Sequence, residues 1–208
     1  MKTNSNSYTI IYSAVIVIVV AFLLAFVYQV LKPRQEANEQ LDQKKQILYS
    51  LNIRDLDNEQ AESTYNKLLK GEQKMGQGTI YTFNIDGQPK YVLTVKGMGL
   101  WGGISGFIAV DADKNTVYGA YFNHESETAG LGAEIKDNRK WQEQFRGKQL
   151  FQGSDRTKIA LSVVKNETDP KTQVDAVTGA TLTSNGVSDM LHDTAKGLGQ
   201  YLDFLNKK

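Results

Sequence analysis

Ile104-Ser105-Gly106-Phe107-Ile108-Ala109-Val110, then Asp111-Ala112-Asp113-Lys114-Asn115, then Thr116-Val117-Tyr118-Gly119-Ala120-Tyr121-Phe122 reads as two strands about a polar reversal. β-Branched and aromatic residues fill both runs, and turn-forming Asp, Asn and Lys separate them. Upstream, Thr79 to Ile85 and Tyr91 to Val95 form a second pair around Asp86-Gly87, expected as a hairpin with a longer loop. Downstream, Ile159 to Val164 reads as a further strand, with a short helix at Trp141 to Phe145 between. Val187, Met190, Leu191, Thr194, Leu198, Tyr201, Leu202 and Leu205 then fall on one face of a last helix, with Thr183, Ser184 or Asn185 as its N-cap. Strands lie among helices without regular βαβ alternation, which argues for an α+β fold with mostly antiparallel strands and flanking helices.

The N-terminal end is of another kind. No charged residue occurs from Thr3 to Leu31, and Ile10 to Val27 is interrupted only by Tyr12 and Ser13. That run can cross roughly 30 Å of hydrocarbon as a single transmembrane helix. Tyr8, Tyr12 and Tyr28 sit near its ends, where an amphipathic ring suits the headgroups, and Lys32 and Arg34 stop it. A cleaved signal peptide competes with this reading, but the run exceeds the usual short apolar region and lacks a clear A-x-A site. Lys2 flanks one side and Lys32, Arg34, Lys44 and Lys45 the other, so a plain count puts the C-terminal bulk in the cytoplasm. That rule is weak for long translocated domains. Pro33 to Leu69 is polar, with Ile47, Leu48, Leu51, Tyr65, Leu68 and Leu69 at helical spacing, and is expected as two helices outside the membrane. Asp57 or Asn58 could cap the second and Gly71 end it.

Composition narrows the chemistry. The chain has 208 residues, 24 Lys and Arg against 23 Asp and Glu, and 40% hydrophobic content, so a large charge-driven grip on nucleic acid is not expected. Cysteine is absent, which excludes disulfides, iron–sulfur clusters, thiolate zinc sites and cysteine nucleophiles, and leaves any redox role to a borrowed cofactor. His124-Glu125 is followed by Glu127 and Thr128, not by the second histidine of a zinc helix, and His192 is the one other histidine. Gly103-Ile104-Ser105-Gly106-Phe107 misses the nucleophile elbow, and neither a dinucleotide turn nor a Walker A loop is present.

Three glycine-bearing clusters stand out instead. Gly97-Met98-Gly99-Leu100-Trp101-Gly102-Gly103 and Glu127-Thr128-Ala129-Gly130-Leu131-Gly132 would let backbone approach a flat or phosphorylated ligand, or are tight connections between strands. The third, Asp175-Ala176-Val177-Thr178-Gly179-Ala180-Thr181-Leu182-Thr183-Ser184-Asn185-Gly186, crowds hydroxyls at a helix N-terminus, where a phosphate at Thr181 would be electrostatically favoured. A capping run of Ser and Thr accounts for the same residues.

Asp175-x-x-Thr178-Gly179-Ala180-Thr181 resembles the D-x-x-[ST]-G-A-T flavinylation motif of membrane-anchored, covalent-FMN-binding proteins. In that family a flavin transferase esterifies FMN through its phosphate to the last threonine, which corresponds to Thr181. Glu127 to Gly132 is similar to the family's E-T-P-G-L-G segment, with Ala129 where proline is usual. Gly99-Leu100-Trp101-Gly102 with Gly106-Phe107 is similar to the NqrC branch of the family, found in sodium-translocating NADH:quinone reductases; RnfG-type proteins of ferredoxin:NAD electron transport complexes usually lack that segment.

The resemblance implies one covalent FMN as cofactor, electron transfer as function and no catalytic acid, base or metal in the chain itself. Residues 1–32 are expected as the anchor and 33–77 as a helical linker that carries no motif of the family; the resemblance covers the anchor and most of 78–208, which it implies is an FMN-binding domain on the periplasmic side of the inner membrane. Thr178, Gly179 and Ala180 would hold the phosphate end with Asp175 of the motif; Leu100, Trp101, Thr128, Gly130 and Leu131 would pack against the ring, near Glu127 and Gly132. Lys165 would counter negative charge, or is an ordinary solvated lysine. Implied partners are the other membrane subunits of the reductase and the flavin transferase. An RnfG-type protein and a flavin-free anchored scaffold are the alternatives.

Overall fold

The structure, a computed structural model, describes residues 5–207; Lys2, one of the basic flanks weighed above, lies outside them. It divides into two units, Met1–Gln43 and Lys44–Lys208. From Asn6 on, the first unit belongs to α1, Asn6–Ser50, which continues through Pro33. The first extramembrane helix expected after Pro33 is therefore the continuation of the anchor helix. Proline removes one backbone donor, and the helix tolerates that single loss here. The large apolar side chains from Ile10 to Leu31 are exposed, and the helix is long and apolar enough to cross a membrane.

In the second unit the last turns of α1 bury Ile47 and Leu48, and Leu51 follows them inward. Next comes α2, Asn58–Leu68, held at its start by a capping box: the Asp57 carboxylate accepts the Gln60 N–H while the Gln60 side chain reaches back to the Asp57 N–H. The chain passes directly into β1, Leu69–Met75, so Gly71 lies in a strand and does not end the helix. β2, Gly78–Ile85, and β3, Gln88–Met98, pair across Asp86-Gly87, with positive φ of 50° and 80°. This is the two-residue turn that matches strand twist, tighter than the longer loop expected. β4, Gly103–Val110, and β5, Val117–His124, complete an antiparallel meander in the order β1-β2-β3-β4-β5.

Both faces of the central strands are covered, which explains the almost unbroken apolar run of β4. Ile104, Ile108 and Val110 face one core; Phe107 and Ala109 face the other, with Ile47, Leu48, Tyr65 and Phe83. Thus residues 44–68, assigned to a linker by sequence, pack within the second unit, and the linker's last residues form β1.

The other face carries the elements that build the site. Two short helices, α3 (Glu134–Asp137) and α4 (Arg139–Glu143), follow β5. Phe122, Trp141 and Phe145 form an aromatic knot with ring centroids 4.9 to 5.5 Å apart. Burying each such ring contributes about 1.5–3 kcal/mol. The Trp141 indole also donates to the Asp175 carbonyl at 2.7 Å, tying the knot to the start of the flavinylation-like motif. β6, Ser162–Val164, is shorter than the strand expected from Ile159, and it pairs in parallel with β7, Gln173–Asp175.

The expected long last helix is interrupted. α5, Thr181–His192, stops at Asp193, whose carboxylate accepts the N–H groups of Ala195 and Lys196. That local bonding replaces the helical ladder. A 3-10 turn, Leu198–Tyr201, and α6, Leu202–Asn206, then bring Leu198, Tyr201 and Leu205 back into the core.

Candidate functional site

Gly179 has a positive φ of 77°, a conformation natural to glycine, and it swings the chain from Thr178 into α5. The N-cap is Ala180, which has no side chain able to cap, and the first turn contains no acidic residue. This corrects the expectation of a cap at Thr183, Ser184 or Asn185. Thr183 and Ser184 are inside the helix and buried; Ser184 Oγ accepts the Val177 N–H at 3.1 Å. The positive end of α5 is therefore open, with Thr181 as its exposed first residue.

A cavity of about 380 Å³ lies beside Thr181. The expected residues Leu100, Trp101, Glu127 and Thr128 line it from two loops, with Leu131 and Gly132. Gly179, Ala180 and Thr181 close it from the helix side. Asp175, Thr178 and Gly130 line a neighbouring cavity of about 480 Å³. Asp175 makes a structural contact there: its carboxylate accepts the Glu167 N–H at 2.7 Å. Lys165 follows β6, is exposed and lines neither cavity, so the structure does not bring it to the expected site.

Leu182 and Thr183 also line the cavity and were missed as site residues. Their hydroxyl-rich surroundings suggested a cap, and nothing in the local pattern separates a lining residue from a capping one. Leu100 (46%), Trp101 (66%), Leu131 (44%) and Leu182 (59%) are exposed. Among the described residues, Met98 is the one other large apolar side chain so exposed outside the N-terminal helix. An apolar rim around a cavity of this kind marks a surface that meets a ligand or partner.

Glu127 is the buried charge of the site. Its carboxylate accepts the Trp101 N–H at 2.8 Å and the Thr183 hydroxyl at 2.6 Å. Burial pushes its pKa up, but the hydroxyl of Thr183 and the N–H groups of Trp101, Gly102 and Leu100 outweigh burial and hold it below the ordinary glutamate range. No group of three or more potential metal ligands occurs among the described residues.

The FMN-binding domain family model matches residues 99–196, which contain both loops and α5. The NqrC protein of the Na(+)-translocating NADH-quinone reductase of Pseudomonas aeruginosa is 42% identical over 122 residues, 55% of this chain and 45% of that protein. Its counterpart from Neisseria meningitidis serogroup B is 40% identical over 144 residues, 67% of this chain and 48% of that protein. The matched stretch thus spans about half the length of these curated relatives. The crystal structure of the Parabacteroides distasonis counterpart superimposes with a TM-score of 0.76 at 35% identity, over 86% of this chain and 98% of that one.

The residues fit FMN. An apolar cavity with an exposed indole suits the flat ring, and an open helix N-terminus suits the phosphate.

Proposed function

This chain belongs to the NqrC family of Na(+)-translocating NADH-quinone reductases, and from that premise we propose that it is the electron-carrying subunit of such a reductase, holding one FMN through a phosphoester on Thr181. The observation that carries the reading is the position of Thr181. Its hydroxyl is exposed at the open N-terminus of α5, on the edge of the apolar cavity, and ends the Asp175-x-x-Thr178-Gly179-Ala180-Thr181 motif.

When bound, FMN supplies the redox chemistry. The chain holds and orients it. The backbone of 179–181 and the helix end would receive the phosphate, with Thr178 beside them. Leu100, Trp101, Thr128 and Leu131 would pack against the ring, while Gly130 and Gly132 shape the loop beneath. The set does not include Lys165, which lies outside both cavities. The exposure of the rim suits exchange of electrons with neighbouring subunits, and no acid or base is needed in the chain. The ester is made by a flavin transferase: the Thr181 Oγ–P bond forms, the hydroxyl loses its proton and the transferase's flavin donor loses its leaving group from phosphorus. α1 would anchor the domain in the inner membrane with the flavin on the periplasmic side.

Co-expression with a flavin transferase and electrophoresis under denaturing conditions tests the reading. Flavin fluorescence is expected at the wild-type band and none in Thr181→Ala. A dark wild-type band, beside a control substrate labelled by the same transferase, would overturn it.

A further inference from the structure

We propose that Glu127 is the positioning residue of this site: its carboxylate fastens the Gly99–Gly103 loop to the first turn of α5, fixing Trp101 relative to Thr181, and its charge lowers the potential of a flavin held there. The second half rests on the proposed function; the first does not.

The two oxygens of Glu127 serve two different segments. Oε1 accepts the Trp101 N–H at 2.8 Å, and Oε2 accepts the Thr183 hydroxyl at 2.6 Å. Glu127 is only 7% exposed, and both oxygens are engaged by the protein, which leaves it poorly suited to contacting a cofactor or moving a proton. The space it fills is reserved by glycine on both sides. A Cβ at Gly99 would stand 2.4 Å from Oε1, and one at Gly132 would stand 2.4 Å from Oε2. Larger residues at either position would collide with the carboxylate.

Its neighbours grip the same loop. Ser126 Oγ donates to the Trp101 carbonyl at 3.2 Å and Glu125 accepts the Gly103 N–H at 3.2 Å, while the Glu127 N–H donates to His124 Nδ1 at 3.2 Å and so ties Glu127's own segment to the end of β5. The loop needs such a hold because its large side chains, Leu100 and Trp101, point to solvent and cannot anchor it by burial. A buried carboxylate accepting charge-assisted hydrogen bonds does what apolar packing does elsewhere in the core. The donors also keep Glu127 ionised, so a fixed negative charge stands in the cavity wall. Such a charge opposes electrons added to a ring in that cavity.

The test has an arm without flavin and an arm with it, both on the protein in detergent. Without flavin, amide hydrogen exchange at Leu100, Trp101 and Gly102 is expected to quicken about tenfold or more in Glu127→Gln and Thr183→Val, and to stay at the wild-type rate in Thr183→Ser. Unchanged exchange in Thr183→Val overturns the clamp even where Glu127→Gln fails to fold. With flavin attached, Glu127→Gln is expected to favour the reduced form about tenfold, a rise of about 30 mV for a two-electron couple. Thr183→Val, which keeps the charge, is expected to shift it less. An unchanged potential, or equal shifts in both variants, overturns the charge effect. Absence of attached flavin from the wild type overturns the proposed function instead, and the exchange arm still decides the clamp.

Discussion

The cavity walled by Thr157, Lys158, Thr172 and His192 measures about 710 Å³, against about 380 Å³ for the one beside Thr181, and the two lie at opposite ends of α5. At the His192 end the helix presents carbonyl groups and the negative pole of its dipole. At the Thr181 end it presents free N–H groups, an alanine cap and no acidic residue in the first turn. Four exposed apolar side chains crowd the smaller cavity, whereas the large apolar residues lining the other, Ile159 and Leu202, are buried or half-buried. Volume alone would favour the His192 end, against the proposed site. Polarity of the helix, an accessible hydroxyl and an exposed indole select the end that suits a phosphorylated aromatic cofactor.

The sharpest way to damage only the Thr181 end is Gly132→Ala. The added methyl would stand 2.4 Å from Glu127 Oε2 and 2.6 Å from Thr183 Oγ1, in the centre of the clamp. A loss of about 1–3 kcal/mol in urea denaturation is expected, together with reduced flavin attachment. Wild-type stability in this variant would show that the glycine is not reserving that space.

Acid should act on the same end. The folded pKa of Glu127 is depressed, so its contribution to stability is full above the ordinary glutamate pKa of about 4.3 and is lost as pH falls through the lower folded value. Denaturation midpoints of the wild type should fall across that acidic window more steeply than those of Glu127→Gln. Parallel curves would mean that Glu127 is not held below its ordinary pKa.

Trp101→Ala separates the rim from the fold. The indole is 66% exposed, so stability should change by no more than about 0.5 kcal/mol, while the fluorescence anisotropy of attached flavin should drop as the ring loses its neighbour. The smallest effect is expected at the other end of the helix. Lys158→Ala should leave flavin attachment and potential unchanged and alter stability by at most about 0.5 kcal/mol. A change in the flavin there would abolish the distinction between the two ends.

Features set by local chemistry were legible in the sequence. The paired strands around Asp111–Asn115 and a cap at Asp57, one of the two residues expected there, depend on residues a few positions apart, and the structure has both. β1 was hidden because Lys70 to Lys74 forms an exposed edge strand with no apolar alternation to announce it. The passage of α1 through Pro33 was hidden because proline normally marks a boundary. Ala180 gives no local sign of starting a helix, and the hydroxyls after it draw the cap assignment to themselves. Glu127 stood out in its glycine-bearing segment, but its partners Trp101 and Thr183 come from distant segments that only the folded sheet and α5 bring together.

The most direct measurement is a peptide map, by tandem mass spectrometry, of the protein matured with a flavin transferase. The account predicts one FMN-sized increment, carried by Thr181. An increment on Thr178 in the neighbouring cavity, on another residue, or on none would contradict it.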